Sequence, residues 1–209
     1  MTRSQILYIK LLKRPIGFFG ALLGLIVTNP ITVPVAILLC FANKGGGIFF
    51  RQERPGKDGK LFKVIKFKSM TDERDGEGNL LPNEQRITKV GHFIRKTSID
   101  ELPQLINILK GDMAFIGPRP LMPRYLQLYS EEQMHRHDVL PGMTGWAQIN
   151  GRNNITWTEK FSLDVWYVNH VNLALDIRIF FVTVKKVLGQ KDTQYGGVSA
   201  NSEGFNGHN

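Results

Sequence analysis

At 209 residues the chain is sized for one domain, and a mean hydropathy of −0.16 excludes a polytopic membrane protein. Twenty-seven Lys and Arg against 18 Asp and Glu leave a formal charge of +9, which suits anionic lipid, nucleic acid or phosphorylated substrates without choosing among them. The single cysteine, Cys40, excludes an internal disulfide, fits a reducing compartment and reads as a small buried hydrophobe.

The first element is apolar. Residues 16–42 carry no charge, and as one helix they would extend roughly 40 Å, enough for a ~30 Å hydrocarbon core. The run is too long for a cleavable signal, and no small-residue cleavage motif follows it. Two features point away from a simple span. Pro30 and Pro34 each remove a helix hydrogen bond, and Asn29 precedes the first; divided there, each half is roughly 20 Å and cannot cross. Cations also flank both ends: Arg3, Lys10, Lys13 and Arg14 before the run, and Lys44, Arg51, Arg54 and Lys57 after it. The positive-inside rule then places both ends on the cytoplasmic side. We therefore expect residues 1–43 to form a re-entrant helix–break–helix, with Asn29 and Pro30 at the break and Asn29 helping to satisfy the freed backbone groups.

Downstream, "GIFFRQERPGKDGKLFKVIKFKSM" reads as two strands around a Pro-Gly-Lys-Asp-Gly turn. "TDERDGEGNLLPNEQR" is an exposed loop. "TSIDELPQLINILKGD" reads as a short helix opened by a Ser98–Glu101 capping box and stopped at Gly111. Residues 125–138 and 159–170 read as helices, the second introduced by Thr156 and Glu159. Residues 176–188 form an amphipathic helix suited either to a membrane surface or to the core, and the apolar segment upstream favours the surface. There is no repeat and no second domain. The expected fold is α+β, a small β-hairpin or sheet with surrounding helices over residues 44–188, docked on the membrane helix. Residues 189–209 form an extended or loosely ordered tail.

Asp100 and Glu101 are the chemical centre of the sequence. Acids in a first helical turn complement the helix dipole, which explains the pair without catalysis. Yet consecutive helical residues diverge by about 100°, so two carboxylates here could also divide labour, one attacking phosphorus and the other holding a divalent cation. Arg95, Lys66, Lys68 and Arg119 supply cations for a diphosphate. Pro118 and Pro120 fix the backbone on either side of Arg119, although Gly-Pro-x-Pro can also be only a turn. "PGMTGWAQINGR", with Gln148, Asn150 and Arg152, could bring donors to a ligand or merely form turns. His135 and His137 have no further suitably placed ligands, so a metal pair is not expected there.

The motifs "FKVIKFKSM", "IRKTSIDELPQLINILKGDMAFIGPRP" and "HDVLPGMTGWAQINGR" closely resemble the bacterial sugar transferase family, the small monotopic phosphoglycosyl transferases, in order and spacing from about Lys13 to Leu188. The resemblance implies an enzyme on the cytoplasmic face of the bacterial inner membrane. It would move a sugar 1-phosphate from a UDP-sugar to undecaprenyl phosphate and release UMP. It implies Asp100 as nucleophile through a phosphosugar-aspartyl intermediate, Mg2+ near Asp100 and Glu101, and phosphate contacts from Arg95, Arg119 and Lys66. Pro118, Pro120, Gln148 and Arg152 fall with the substrate-binding segments, and a helix N-terminus at Ser98 would add positive potential. It also implies a re-entrant helix; family members often carry Ser-Pro where this chain has Asn29-Pro30. The sugar it favours is N,N′-diacetylbacillosamine, with galactose, N-acetylgalactosamine and N-acetylglucosamine open. Anionic headgroups are expected partners, nucleic acid is not, and a homodimer is left open. The rival classes are a basic membrane-anchored binding module, which leaves the acidic pair without a purpose, and a glycosyltransferase releasing UDP.

Overall fold

The computed structural model describes residues 1–151, 154–189 and 204–209. Helix α1 (Arg3–Leu7), capped by Thr2, passes through a π-helical stretch (Tyr8–Lys13) into α2 (Arg14–Ala42). Together they make a 40-residue helix long and apolar enough to cross a membrane by length and composition. The expected division into two helices at Asn29–Pro30 does not occur: α2 is helical through both prolines. Spaced four apart, the prolines remove hydrogen bonds from one face only, and the other face holds the helix together. Thr28 and Thr32 hydroxyls donate to the carbonyls of Gly24 (2.7 Å) and Asn29 (3.4 Å) beside the gap.

Both ends of α2 pack on the rest of the protein. Near its start, Gly17, Gly20 and Gly24 admit a close neighbour; a Cβ on Gly20 or Gly24 would stand 3.0 Å from Phe115 or 3.2 Å from Leu105. Ala21 joins Val64, Leu105, Ile108 and Met113 in one cluster, and Val35 and Leu39 join Phe67 and Ile94 in another. Between them Ile26, Val27, Ile31 and Val33 are exposed. Cys40 is exposed as well, because it lies on this outward face rather than in the core. Two of the flanking cations work inside the fold: Lys13 pairs with Asp176 at 2.7 Å, and Arg14 donates to the carbonyls of Ile108 and Leu109.

The expected hairpin is present. Strand β1 (Phe49–Pro55) runs antiparallel to β2 (Leu61–Phe67), placing Phe50 opposite Lys66 and Arg54 opposite Phe62, around a 3-10 turn (Lys57–Gly59). The loop beyond it carries the bridges Met70–Ile87 and Arg74–Leu80 and the short α3 (Asn83–Arg86). Thr88 then caps α4 (Lys89–Lys96).

The Ser98 capping box is not formed. Ser98 is left-handed (φ 58°), a 3-10 turn (Ile99–Glu101) follows, and α5 (Gln104–Lys110) starts after Pro103, ending at Gly111 (φ 92°). Leu102 and Pro103 keep helical backbone between the acidic turn and α5, so the chain runs from one into the other while Ser98 supplies the sharp turn before them. A short parallel pair, β3 (Ala114–Ile116) with β4 (Gly142–Thr144), adds a second sheet.

Residues 125–138 are not one helix either. A 3-10 turn (Pro123–Tyr125), α6 (Glu131–Met134) and a second 3-10 turn (His135–His137) share that span, because Ser130 caps a new helix with Gln133 and interrupts the first. Next come α7 (Trp146–Ile149), α8 (Trp157–His170) with the expected Thr156–Glu159 box, and α9 (Leu173–Leu188). Tyr167, Val168, Val171 and Ile179 pack under the second sheet. Of the tail, residues 190–203 lie outside the described residues, while Phe205 is buried among Tyr125, Trp157 and Phe161.

Candidate active site

The left-handed Ser98 turns the chain sharply between α4 and the acidic 3-10 turn, in which successive side chains diverge by about 120°. Asp100 and Glu101 thus have separate surroundings. Glu101 Oε1 accepts from Lys66 Nζ at 2.6 Å and from Arg119 Nη2 at 2.7 Å. Lys66 is carried by β2, and Arg119 by the loop after β3 between Pro118 and Pro120. The carbonyl of Pro118 accepts from the Gly142 amide at 3.0 Å, tying that loop to β4.

Asp100 faces a cavity of about 510 Å³ whose walls include Lys66, Lys68, Arg95, Arg119, Arg54 and Arg86. Arg95 Nε donates to Ser69 Oγ at 2.7 Å, and Lys68 is held by Asp72 and by the Gly46 carbonyl. The cavity suits a polyanion. Its hairpin wall was legible in part: Phe50, Gln52, Arg54 and Lys66 project to one face by strand alternation. Arg86 had no comparable signal, since α3 spans only four residues.

The two carboxylates are tuned in opposite directions. Burial raises Asp100 from 3.8 to about 6, with Glu101 adding to it and Lys66, Arg95 and Arg119 pulling the other way. Burial also pushes Glu101 upward, but the charges and hydrogen bonds of Arg119 and Lys66 outweigh it and bring Glu101 down to about 2. Glu101 is therefore an ionised anchor for two cations. Asp100 is left as the carboxylate whose charge the site does not fully compensate.

A second cavity of about 220 Å³ lies on the other side of Glu101 and Arg119. Phe115, Ile116, Met143, Phe180, Val184 and Val187 make it apolar, and both cavities share Ser98, Glu101 and Arg119. Gln148 lines this second cavity, and its buried amide nitrogen and oxygen make no hydrogen bond among the described residues. The outward face of α9 beside it exposes Ile177, Phe180, Phe181 and Leu188.

The structure thus gathers Asp100, Glu101, Lys66, Arg95 and Arg119 at one cavity and places Gln148 at its neighbour. Arg152 lies outside the described residues. Asn29 and Pro30 stand exposed in the middle of α2, within neither cavity. His135 meets Asp138 at 2.9 Å, while His137 donates to the Gly56 carbonyl at 3.0 Å, so the two histidines face different partners.

The chain matches the family model described as Bacterial sugar transferase over residues 8–190. It is similar to the sugar transferase EpsL of Bacillus subtilis (strain 168), 53% identical over 88% of this chain and 91% of that one. It is 40% identical to the UDP-glucose:undecaprenyl-phosphate glucose-1-phosphate transferase of Escherichia coli (strain K12), over 85% of this chain and 40% of that protein. With the undecaprenyl-phosphate galactose phosphotransferase of Salmonella typhimurium (strain LT2) it shares 36% identity, over 89% of this chain and 42% of that protein. The chain therefore spans nearly all of the first relative but about two-fifths of the length of the other two. The match runs through every segment that builds the two cavities, and the chain belongs to the bacterial sugar transferase family.

Proposed function

We propose that this protein transfers a sugar 1-phosphate from a UDP-sugar to undecaprenyl phosphate, releasing UMP, through a covalent intermediate on Asp100. The observation that carries this reading is the division of labour in the acidic pair. Glu101 is spent on Lys66 and Arg119, while Asp100 faces the cation-walled cavity with its charge only partly compensated.

In the first step an Asp100 carboxylate oxygen attacks the sugar-bearing phosphorus. A new P–O bond to Asp100 forms, the bond to the uridylyl phosphate breaks with its electron pair, and UMP leaves. In the second step an oxygen of undecaprenyl phosphate attacks the same phosphorus and frees Asp100, giving undecaprenyl diphosphate sugar. Two successive displacements let one phosphate site serve two large substrates in turn. Arg95, Arg119 and Lys66 hold phosphate oxygens, and the prolines around Arg119 limit the ordering that its guanidinium requires.

The donor set fits Mg2+, which takes one or two carboxylates and completes its shell with substrate phosphates and water. Among the described residues no cluster of three His, Cys, Asp or Glu exists, so phosphate and water would supply the remaining ligands. Asp100 and Glu101 would hold the ion, Asp100 with more freedom because Glu101 already serves two cations. Bound there, Mg2+ would neutralise diphosphate charge.

The packing of both ends of α2 on one body supports a re-entrant anchor with both ends cytoplasmic. The exposed apolar faces of α2 and α9 fit a monotopic seat in one leaflet of the bacterial inner membrane, among anionic headgroups. The apolar second cavity beside Arg119 suits the neighbourhood of a lipid phosphate.

The motif resemblance favours N,N′-diacetylbacillosamine as the sugar, whereas the relatives are named for glucose and galactose. Competition among UDP-N,N′-diacetylbacillosamine, UDP-galactose, UDP-glucose and the UDP-N-acetylhexosamines assigns the sugar. Identifying the released nucleotide tests the reaction class: UMP supports the proposal, and UDP would replace it with glycosyl transfer.

A further inference from the structure

Arg136 and Asp164 form an ion pair with side chains 1% and 2% exposed, Nη2 standing 2.7 Å from Oδ2. Neither residue lines either cavity, and nothing in the reaction above uses them. The guanidinium lies over the rings of Tyr129 and Phe161, each centroid 5.5 Å away, and its Nη1 donates to the Tyr129 hydroxyl at 3.2 Å. A buried pair of this kind is weak evidence for stability, because well-packed apolar residues often do as well or better.

What sets the pair apart is where the fork points. Besides bonding Asp164, Nη2 donates to the main-chain carbonyl of Arg119 at 2.8 Å. Arg119 sits between two prolines, which donate no N–H to fasten the loop. The same loop is tied to β4 through the Gly117 amide to the Thr144 carbonyl (2.9 Å) and the Gly142 amide to the Pro118 carbonyl (3.0 Å). Those two bonds fix its start; Arg136 fixes the residue whose side chain reaches Glu101.

We propose that Arg136, oriented by Asp164, is a positioning residue for phosphoryl transfer: it holds the Arg119 main chain so that the guanidinium stays on Glu101 and in the substrate cavity. This rests on the proposed function, in which Arg119 binds phosphate. A lysine at 136 would keep the charge opposite Asp164 but lack the planar fork that serves Asp164, Tyr129 and the Arg119 carbonyl together.

The test uses the full chain in detergent or nanodiscs. Two variants are compared with wild type: Arg136→Met with Asp164→Leu, which removes both charges together so that neither is left buried and unpaired, and Arg136→Lys. The first readout is hydrogen–deuterium exchange over residues 114–122. The second is kcat and KM for UMP release, using whichever of UDP-glucose, UDP-galactose or UDP-N,N′-diacetylbacillosamine the wild type turns over. We expect a thermal midpoint close to wild type for the double variant, faster exchange over 114–122, and kcat/KM lower by about 10- to 100-fold, the scale of a misplaced reacting group. Arg136→Lys should keep the midpoint and recover little of the activity. Added to Arg119→Gln, the double change should cost almost nothing more, since it acts through Arg119.

Unchanged exchange over 114–122 overturns the proposal, and so does unchanged kcat/KM in folded protein. An equal proportional loss in the Arg119→Gln background would show that the pair acts elsewhere. If the double variant does not fold, Arg136→Lys supplies both readouts. A wild type that releases no UMP from any donor sinks the function reading instead, and the exchange result still decides the positioning.

Discussion

Arg119 and Glu101, 18 residues apart, meet at 2.7 Å at the wall common to a cation-lined cavity and an apolar one. Lys66 reaches the same carboxylate oxygen from β2, so a strand, a 3-10 turn and a proline-bounded loop converge on one atom. That convergence assigns different work to two adjacent acids. Glu101 holds the two cations, and Asp100, which the proposed mechanism makes the nucleophile, lines the cavity beside them.

Glu101→Gln keeps the shape but removes the charge that holds Lys66 and Arg119 together. UMP release should fall on the order of 100-fold, the effect of a displaced phosphate clamp. Wild-type rates in a Glu101→Gln protein would show that the clamp is unnecessary.

The opposite tuning of the pair makes a pH prediction. Asp100 has its folded value raised from 3.8 to about 6, so the folded state keeps a proton that the unfolded chain loses across that window. Its effect on stability therefore worsens as pH rises from about 4 to about 6, and the full cost remains above that. Asp100→Asn should raise the thermal midpoint at pH 7.5, and the gain should vanish by about pH 4. A gain that grows on acidification would contradict this. Glu101 has the reverse sign: its contribution is complete above its ordinary 4.5 and is lost as pH falls toward about 2.

Gly91 in α4 has no room for a side chain; a Cβ there would stand 1.8 Å from the Ser69 carbonyl oxygen. Ser69 in turn orients Arg95 through its hydroxyl. Gly91→Ala should therefore displace the strand end beside the cavity, destabilise the protein by about 2 kcal/mol or more, and raise KM for the UDP-sugar. A variant with wild-type stability and KM would show that α4 yields without disturbing Arg95.

The anchor is tested by labelling. With Cys40 replaced by Ser, single cysteines placed before Lys13 and after Lys44 should both resist a membrane-impermeant thiol reagent in intact spheroplasts and react after lysis. One cysteine labelled from outside and the other protected would convert the re-entrant anchor into a simple span.

Much of this arrangement was legible in the sequence, and the exceptions have physical causes. The hairpin, α8 and α9 announced themselves through alternation, a capping box and an amphipathic face. The acidic pair and its cations could be named, but Ser98 could not be read as left-handed, because Ser followed three residues later by Glu also fits a cap. Asn29 and the prolines in α2 suggested a break between two helices, whereas the helix runs through both prolines. The β3–β4 pair is three residues a strand, below what periodicity can detect. Arg136 and Asp164, 28 residues apart, carry no local signal; only the fold brings them together behind Arg119.

The covalent intermediate is the centre of the account, and mass spectrometry tests it most directly. The purified full chain would be incubated with Mg2+ and a UDP-sugar donor in the absence of lipid acceptor, with Asp100→Asn beside it. The account predicts about one UMP per enzyme and a phosphosugar mass on the peptide containing Asp100, absent from the variant and discharged by undecaprenyl phosphate. UMP formed only when undecaprenyl phosphate is present, with no adduct at Asp100, would mean direct transfer between the substrates and would contradict it.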